Sequence, residues 1–441
     1  MPTPTPILFD ATTAHGARGG DNLTIQANDL VAGAAGYQCR FVRAADYDTF
    51  LASGGAEGQA LSVNATVLDY RTAACATPAW GAAFPAALVR VLLVLDDGSV
   101  QPRVEAANFT FDFYEVWDGA VVSTQFGARG GDPVSIAAFG VDPSAPYEVT
   151  FDGSVDSLVL SISPASTTQL NFSTPAWGEA FVADNVSVTF RNTRSGAEVV
   201  ALSFNLTYWF FPALEGVEVY PNPSLEGGVA SGGENVSLAV FGLDPALEYT
   251  LRFYTADGTG FLEADTELPG SASELGFVTP AWGDTFAAQT ATLELIADGV
   301  RTVAVVSGAP RSVTFEFYLV WTTASLTTRF GAAGGDAVTL VAPGLETDRP
   351  VGYYQCEFRS TTDASRRLAT NATILSTIDL ECDTPAWGAE YSAERVEFYV
   401  STAGGSAAIV ASDGGAERYD FFQVWSGVSA YPDGVDGGKA G

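Results

Sequence analysis

A chain of 441 residues, 47% hydrophobic and 16% charged, carries enough apolar material for several cores and is not a disordered protein. Its formal charge of −32 excludes nucleic acid and anionic membrane surfaces as partners, because both require clustered cations. No apolar run approaches the ~20 residues that span a bilayer.

The chain opens with MPTPTP, residues 1–6, an extended polyproline-type lead-in without the basic and apolar regions of a signal peptide. The only histidine, His15, sits in a Gly/Ala-rich loop and reads as a bystander. That removes the usual general base and the commonest metal ligand.

From residue 7 onward, four markers recur in fixed order. A Gly-Gly pair followed by an acid opens a strand at Gly19, Gly130, Gly232 and Gly334. A Tyr-centred segment follows (GYQCRF, PYEVTF, EYTLRF, YYQCEF), then TPAWG, then an aromatic closing strand (FTFDFYEVW, FNLTYWFFP, VTFEFYLVW, RYDFFQVW). The TPAWG prolines are 97, 105 and 105 residues apart. The sequence therefore divides into repeats 7–118, 119–214, 215–322 and 323–427. Residues 428–441 resemble the opening of repeat 3 and read as the start of a truncated fifth.

Within a repeat, apolar and polar residues alternate, as at Val186/Val188/Phe190 and Phe109/Phe111/Phe113, between Gly, Pro, Asp and Ser clusters. No sustained helical period is present. About seven short strands per repeat predict an all-β fold of four tandem β-sandwiches of immunoglobulin type in an elongated array.

Eight of 11 asparagines begin an N-x-[ST] sequon: Asn22, Asn64, Asn108, Asn171, Asn185, Asn205, Asn235 and Asn371. Chance would give about two. N-linked glycans and a secretory, extracellular or cell-surface location are the expectation. Since no signal peptide is seen, the sequence reads as an excerpt of a longer protein.

The four cysteines change together along the repeats. Cys39, Val149, Leu251 and Cys356 hold one position; Cys75, Phe172, Phe277 and Cys382 hold the other. Paired replacement predicts the disulfides Cys39–Cys75 and Cys356–Cys382, with apolar pairs filling the same space in repeats 2 and 3. A metal or redox pair would need zinc-type spacing or histidine ligands, and neither is present.

Together, Gly19-Gly20, Cys39-Arg40-Phe41, Cys75-Ala76-Thr77-Pro78 and Phe111-Asp112-Phe113 resemble the IPT/TIG domain of plexins, hepatocyte growth factor receptors and some transcription factors. Repeat 4 matches with Gly334-Gly335, Cys356-Glu357-Phe358 and Cys382-Asp383-Thr384-Pro385. The resemblance implies an immunoglobulin-like fold and, for extracellular members, stalk or ligand-contact roles. The Cys-free middle repeats, the acid after Gly-Gly and the Trp-Gly after Pro depart from the family pattern.

The leading expectation is a structural, glycosylated segment of a large extracellular fibrous protein: a rod, stalk, flagellar hair or adhesin-like array. Its partners would be glycans, neighbouring domains and other copies in a filament. The alternative is a receptor ectodomain whose loops bind protein or carbohydrate, with Trp80, Trp177, Trp282 and Trp387 as a multivalent row. TPAWG reads either as a packed corner or as an exposed contact. No enzyme motif stands out, and neither cofactor nor metal is called for. Asp21, Asp132, Glu234 and Asp336 read either as calcium ligands between domains, with Asp142 or Asp244, or as ordinary turn and strand-end carboxylates, the commoner case.

Overall fold

In the computed structural model the protein is described over residues 7–8, 14–26, 30, 36–54, 58–95, 110–119, 123, 125–202, 206–306, 311–324, 327–403, 408–411 and 417–425. The lead-in 1–6, the fifth-repeat opening 428–441, Asn108 and Asn205 lie outside the described residues. The described chain is all-β and forms two compact units, residues 1–213 with Phe241–Leu243, and residues 214–240 with 244–441.

Repeat 2, in the first unit, shows how the strands are used. A five-stranded sheet orders Gln125–Gly127, Leu206–Phe211, Asn185–Asn192, Tyr147–Asp152 and Ser157–Ile162. A four-stranded sheet orders Gln169–Ser173, Pro133–Phe139, Val116–Asp118 and Val200–Ala201. Both sheets contribute to one core, with Val149, Phe151, Val188, Phe190 and Phe210 from the first and Ile136, Leu170 and Phe172 from the second. The alternation read from sequence is the cause: Val186, Val188 and Phe190 are buried while Asn185 and Thr189 face out.

Repeat 1 closes its sheet differently. The long strand Ala60–Asp69 pairs with Tyr37–Arg43 on one side and Thr72–Ala76 on the other, so eight strands form one continuous sheet. A register shift between Val67 and Asp69 interrupts the second pairing. This repeat also holds a six-residue helix, Tyr47–Ala52, which buries Tyr47 and Phe50 with Val42 and Leu92. It is too short to leave a helical period in the sequence.

In the second unit, repeat 3 pairs Tyr249–Tyr254 with Phe261–Asp265 and Thr290–Ala297. Repeat 4 carries a nine-stranded sheet in which Arg367–Ile374 joins Tyr354–Ser360 to Asp379–Asp383. In all four repeats a three-residue opening strand runs parallel to the closing strand.

The boundary after residue 118 needs correction at the level of strands. Phe111 and Phe113 pack in the core of repeat 1. Val116–Asp118, read as the end of that repeat, instead pairs with Pro133–Phe139, and Trp117 joins the repeat 2 core against Phe190. In the second unit Trp321 likewise packs against Phe398 of repeat 4. The closing segment therefore runs straight into the next core, and the passage comes before the 118/119 boundary read from the sequence. The only residue between the strands Thr110–Tyr114 and Val116–Asp118 is Glu115.

Both disulfides form as expected, Cys39–Cys75 and Cys356–Cys382, with Cα–Cα separations of 6.4 and 6.3 Å. Val149 and Phe172 share one core in repeat 2, and Leu251 and Phe277 are buried in repeat 3.

Candidate functional site: the TPAWG corner and the joint it makes

All four TPAWG tryptophans are buried, at 0–1% exposure. Each indole stacks on an aromatic of its own closing strand: Trp80 on Phe113, Trp177 on Phe210, Trp282 on Phe317 and Trp387 on Phe421, with centroids 4.8–5.6 Å apart. A second ring four residues on, Phe84, Phe181, Phe286 or Tyr391, packs against the indole at a tilt, with centroids 4.8–5.0 Å apart. The indole N–H donates to the carbonyl of Pro85, Val182, Ala287 or Ser392, at 2.8–3.0 Å. The reading of these residues as an exposed row for sugar or protein is corrected: ring and donor are both consumed inside the repeat.

The rest of the motif fastens the Gly-Gly loop. The buried Thr77, Thr174, Thr279 and Thr384 accept, through Oγ1, the amides of Asp21, Asp132, Glu234 and Asp336 at 3.0 Å. The first glycine of each pair lies at φ between +70° and +74°. A Cβ at Gly19 would stand 2.2 Å from the Pro78 carbonyl oxygen, so this approach admits only glycine. The TPAWG glycine then donates to Ala17, Ala128, Ala230 or Ala332 just before that loop, at 2.7–2.8 Å. Two markers whose linked residues are 42 to 56 positions apart in sequence thus form one corner.

The outer face of this corner meets the following repeat. In the first unit the amide of Ala86 donates to Gly140 O at 2.6 Å, and the Gly140 amide is shared between Thr167 O at 3.0 Å and Gly81 O at 3.3 Å. In the second unit the amide of Ala288 donates to Gly344 O at 2.8 Å, and Gly344 N is shared between Thr377 O at 3.0 Å and Gly283 O at 3.3 Å. Gly178, Ala183 and Gly242, all in the first unit, repeat the exchange. The inserted glycines are at φ +83°, +77° and +97°, each a left-handed turn seated on a pair of alanines. For Gly140 those are Ala17 and Ala86; for Gly344 they are Ala230 and Ala288.

The sequence reading passed over these turn glycines. Each lies eight residues after the acid of the Gly-Gly marker, in FGVD, FGLD and PGLE, and repeat 1 has Asp29 in that register. That recurrence was the available signal.

Glu115 strengthens the first joint. Its Oε1 accepts from Tyr147 Oη at 2.7 Å and from Asn192 Nδ2 at 2.8 Å, both in repeat 2. Burial pushes its carboxyl above the ordinary range, against these two hydrogen bonds and with a smaller push from Asp142.

The remaining candidates are accounted for as follows. His15 stacks on Phe111 with Nδ1 3.2 Å from Asp21. Asp142 and Asp244 accept turn amides from Ser144 and Ala246, and Glu234 accepts the amide of Val229. Among the described residues no three His, Cys, Asp or Glu side chains gather as for a metal. The six described sequon residues Asn22, Asn64, Asn171, Asn185, Asn235 and Asn371 are all exposed. No described helix is long and apolar enough to cross a membrane.

No protein-family model and no curated protein matches the sequence. Among solved structures, the chain is similar to the plexin A4 extracellular region, domains 1 to 10. That match has 12% identity over 95% of this chain and 38% of that one, with a TM-score of 0.19. It is also similar to invasin, a bacterial integrin-binding protein, at 10% identity over 70% of this chain and 60% of that one, with a TM-score of 0.20. A third likeness is to Salmonella alpha-2-macroglobulin, at 12% identity over 95% and 29%, with a TM-score of 0.16. This chain spans less than two thirds of each.

Proposed function

We propose that the chain is a structural, N-glycosylated segment of a large extracellular protein, built from four IPT/TIG-like immunoglobulin sandwiches whose corners fix successive repeats to one another. One observation carries the reading: the most sequence-constant motif spends its tryptophan on its own core and its glycine on the neighbouring repeat. A motif kept for ligand capture would leave a side chain free. Here the side chains are internal and the outward contacts are backbone hydrogen bonds that hold one orientation.

Two disulfides support an oxidising compartment. The exposed sequons sit on strands, and Asn171 lies on the edge strand Gln169–Ser173, where a glycan would project to solvent and discourage edge pairing. We assign no catalytic role. The four internal indoles do not carry the receptor alternative.

The test is expression in a secreting eukaryotic host, with glycopeptide mapping and small-angle scattering. The proposal expects glycans on the exposed sequons and a narrow conformational distribution that broadens in a Gly81→Ala, Gly283→Ala double variant. Unoccupied sequons, or a parent as flexible as the variant, would contradict it.

A further inference from the structure

The corner of repeat 4 has the same parts as the others, and no described residue is seated in it. Ala332, Gly388 and Ala393 occupy the positions of Ala230, Gly283 and Ala288, and with Ala386 and Tyr391 they line an open hollow of about 400 Å³. A Cβ at Gly283 would stand 2.4 Å from the amide of Gly344, whereas one at Gly388 would meet nothing nearer than Ala332 O at 3.0 Å. The amides of Ala86, Ala183 and Ala288 each reach a turn glycine; among the described residues that of Ala393 has no such partner.

A second feature is continuous with the hollow, which Val424 itself lines. Trp425 is 83% exposed and Val424 is 42% exposed. Their counterparts Trp117 and Val116, and Trp321 and Val320, are exposed by 5% or less because the next repeat encloses them. An indole left in water beside an empty, shape-defined socket marks an interaction surface.

We propose that this face of repeat 4 is the docking surface for a further domain of the same kind, joined after Trp425. That domain inserts a left-handed glycine turn between Ala332 and Ala393 and takes Trp425 into its core. The occupant follows from the established joints, where the same positions hold such a turn. The glycines that fill the established joints are Gly140, Gly242 and Gly344, whereas the sequence of repeat 1 has Asp29 in that register. Residues 427–432, GVSAYP, also follow the spelling of GVEVYP at 216–221 in repeat 3. The inference rests on the structural reading above and names the partner of its open corner.

The test compares the full chain with one in which residues 426–441 are replaced by a copy of residues 215–322. The readouts are amide hydrogen exchange at Ala393 and acrylamide quenching of Trp425, taken as the difference from a Trp425→Phe variant. In the extended chain, exchange at Ala393 slows about a hundredfold and the Trp425 quenching component disappears. If Ala393 and Trp425 stay open while the added domain's own strand amides are protected, the proposal is overturned. If the unextended chain dimerises in sedimentation and protects Ala393 by itself, a second copy is the occupant and the proposal is likewise overturned. In either case continued protection of Ala86 and Ala288 would leave the structural reading standing.

Discussion

The amide of Ala288 in repeat 3 donates to the carbonyl of Gly344 in repeat 4 at 2.8 Å, and no side chain of either residue takes part. Ala86 and Gly140 stand in the same relation at 2.6 Å. A joint made by backbone atoms through left-handed glycines is insensitive to side-chain drift elsewhere. It is sensitive to a single added methyl group.

Replacing Trp177 tests whether the motif is structural. Trp177→Ala removes a buried ring stacked on Phe210 and is expected to lower stability by about 3–5 kcal/mol in urea unfolding. Trp177→Phe keeps the stack but leaves the Val182 carbonyl without its donor, for a loss of about 1–2 kcal/mol. A loss near zero for the alanine variant would show that the ring is not a core element.

Reduction separates the repeats. The disulfides link residues 36 and 26 positions apart, and in the chain-entropy model each is worth about 3.5–4 kcal/mol. Hydrogen exchange under reducing conditions should therefore loosen repeats 1 and 4 and leave repeat 2 unchanged. A Cys39→Val, Cys75→Phe variant, borrowing Val149 and Phe172, should fold and lose its response to reductant in repeat 1. Equal loosening of all repeats would contradict this.

Much of this was legible in the sequence. The four markers and the paired exchange of Cys39/Cys75 for Val149/Phe172 identified the strands and the disulfides before any geometry was known. The joint was not legible, for a physical reason. Val116 and Trp117 look like the end of an aromatic strand, yet they are adjacent and both buried, which breaks the period of two set by Phe111 and Phe113. That break is where the chain leaves one core for the next. Repeat 2 has no tryptophan at this place: Trp209 is 40% exposed, and the residue four positions after Phe210, as Trp117 is after Phe113, is the buried Leu214. Turn glycines carry no hydrophobic signal, so their eight-residue register from the acid shows only when repeats are aligned.

Glu115 gives a dependence on pH. Its carboxyl is raised above 4.5 by burial, so the folded state holds the proton more tightly than the unfolded chain does. Its contribution is favourable at low pH and is lost as pH rises from 4.5 through the raised folded value. Glu115→Gln, which keeps an acceptor for Tyr147 and Asn192, should be more stable than the parent at neutral pH. The difference should close on acidification. Thermal melts of both proteins across this range check it, and parallel curves would refute the assignment.

Glu215 is 2% exposed and pairs with Arg311, which also reaches Glu218 at 3.3 Å. Arg311→Met removes the guanidinium beside a buried carboxylate and should lower stability in urea unfolding. Adding Glu215→Leu should recover most of that loss. If the second change adds to the first, the pair is not coupled.

The most direct test of the locked joint is amide hydrogen exchange at Ala86 and Ala288 in the parent and in Gly81→Ala and Gly283→Ala variants. The added Cβ would sit 2.2 and 2.4 Å from the amide nitrogens of Gly140 and Gly344. The corner's own fold should tolerate it, since Gly81 and Gly283 do not occupy left-handed backbone. The account predicts that both alanine amides are protected in the parent. It predicts about a hundredfold faster exchange at the altered joint, with the indole of the same corner still shielded. Unprotected Ala86 and Ala288 in the parent protein would contradict it.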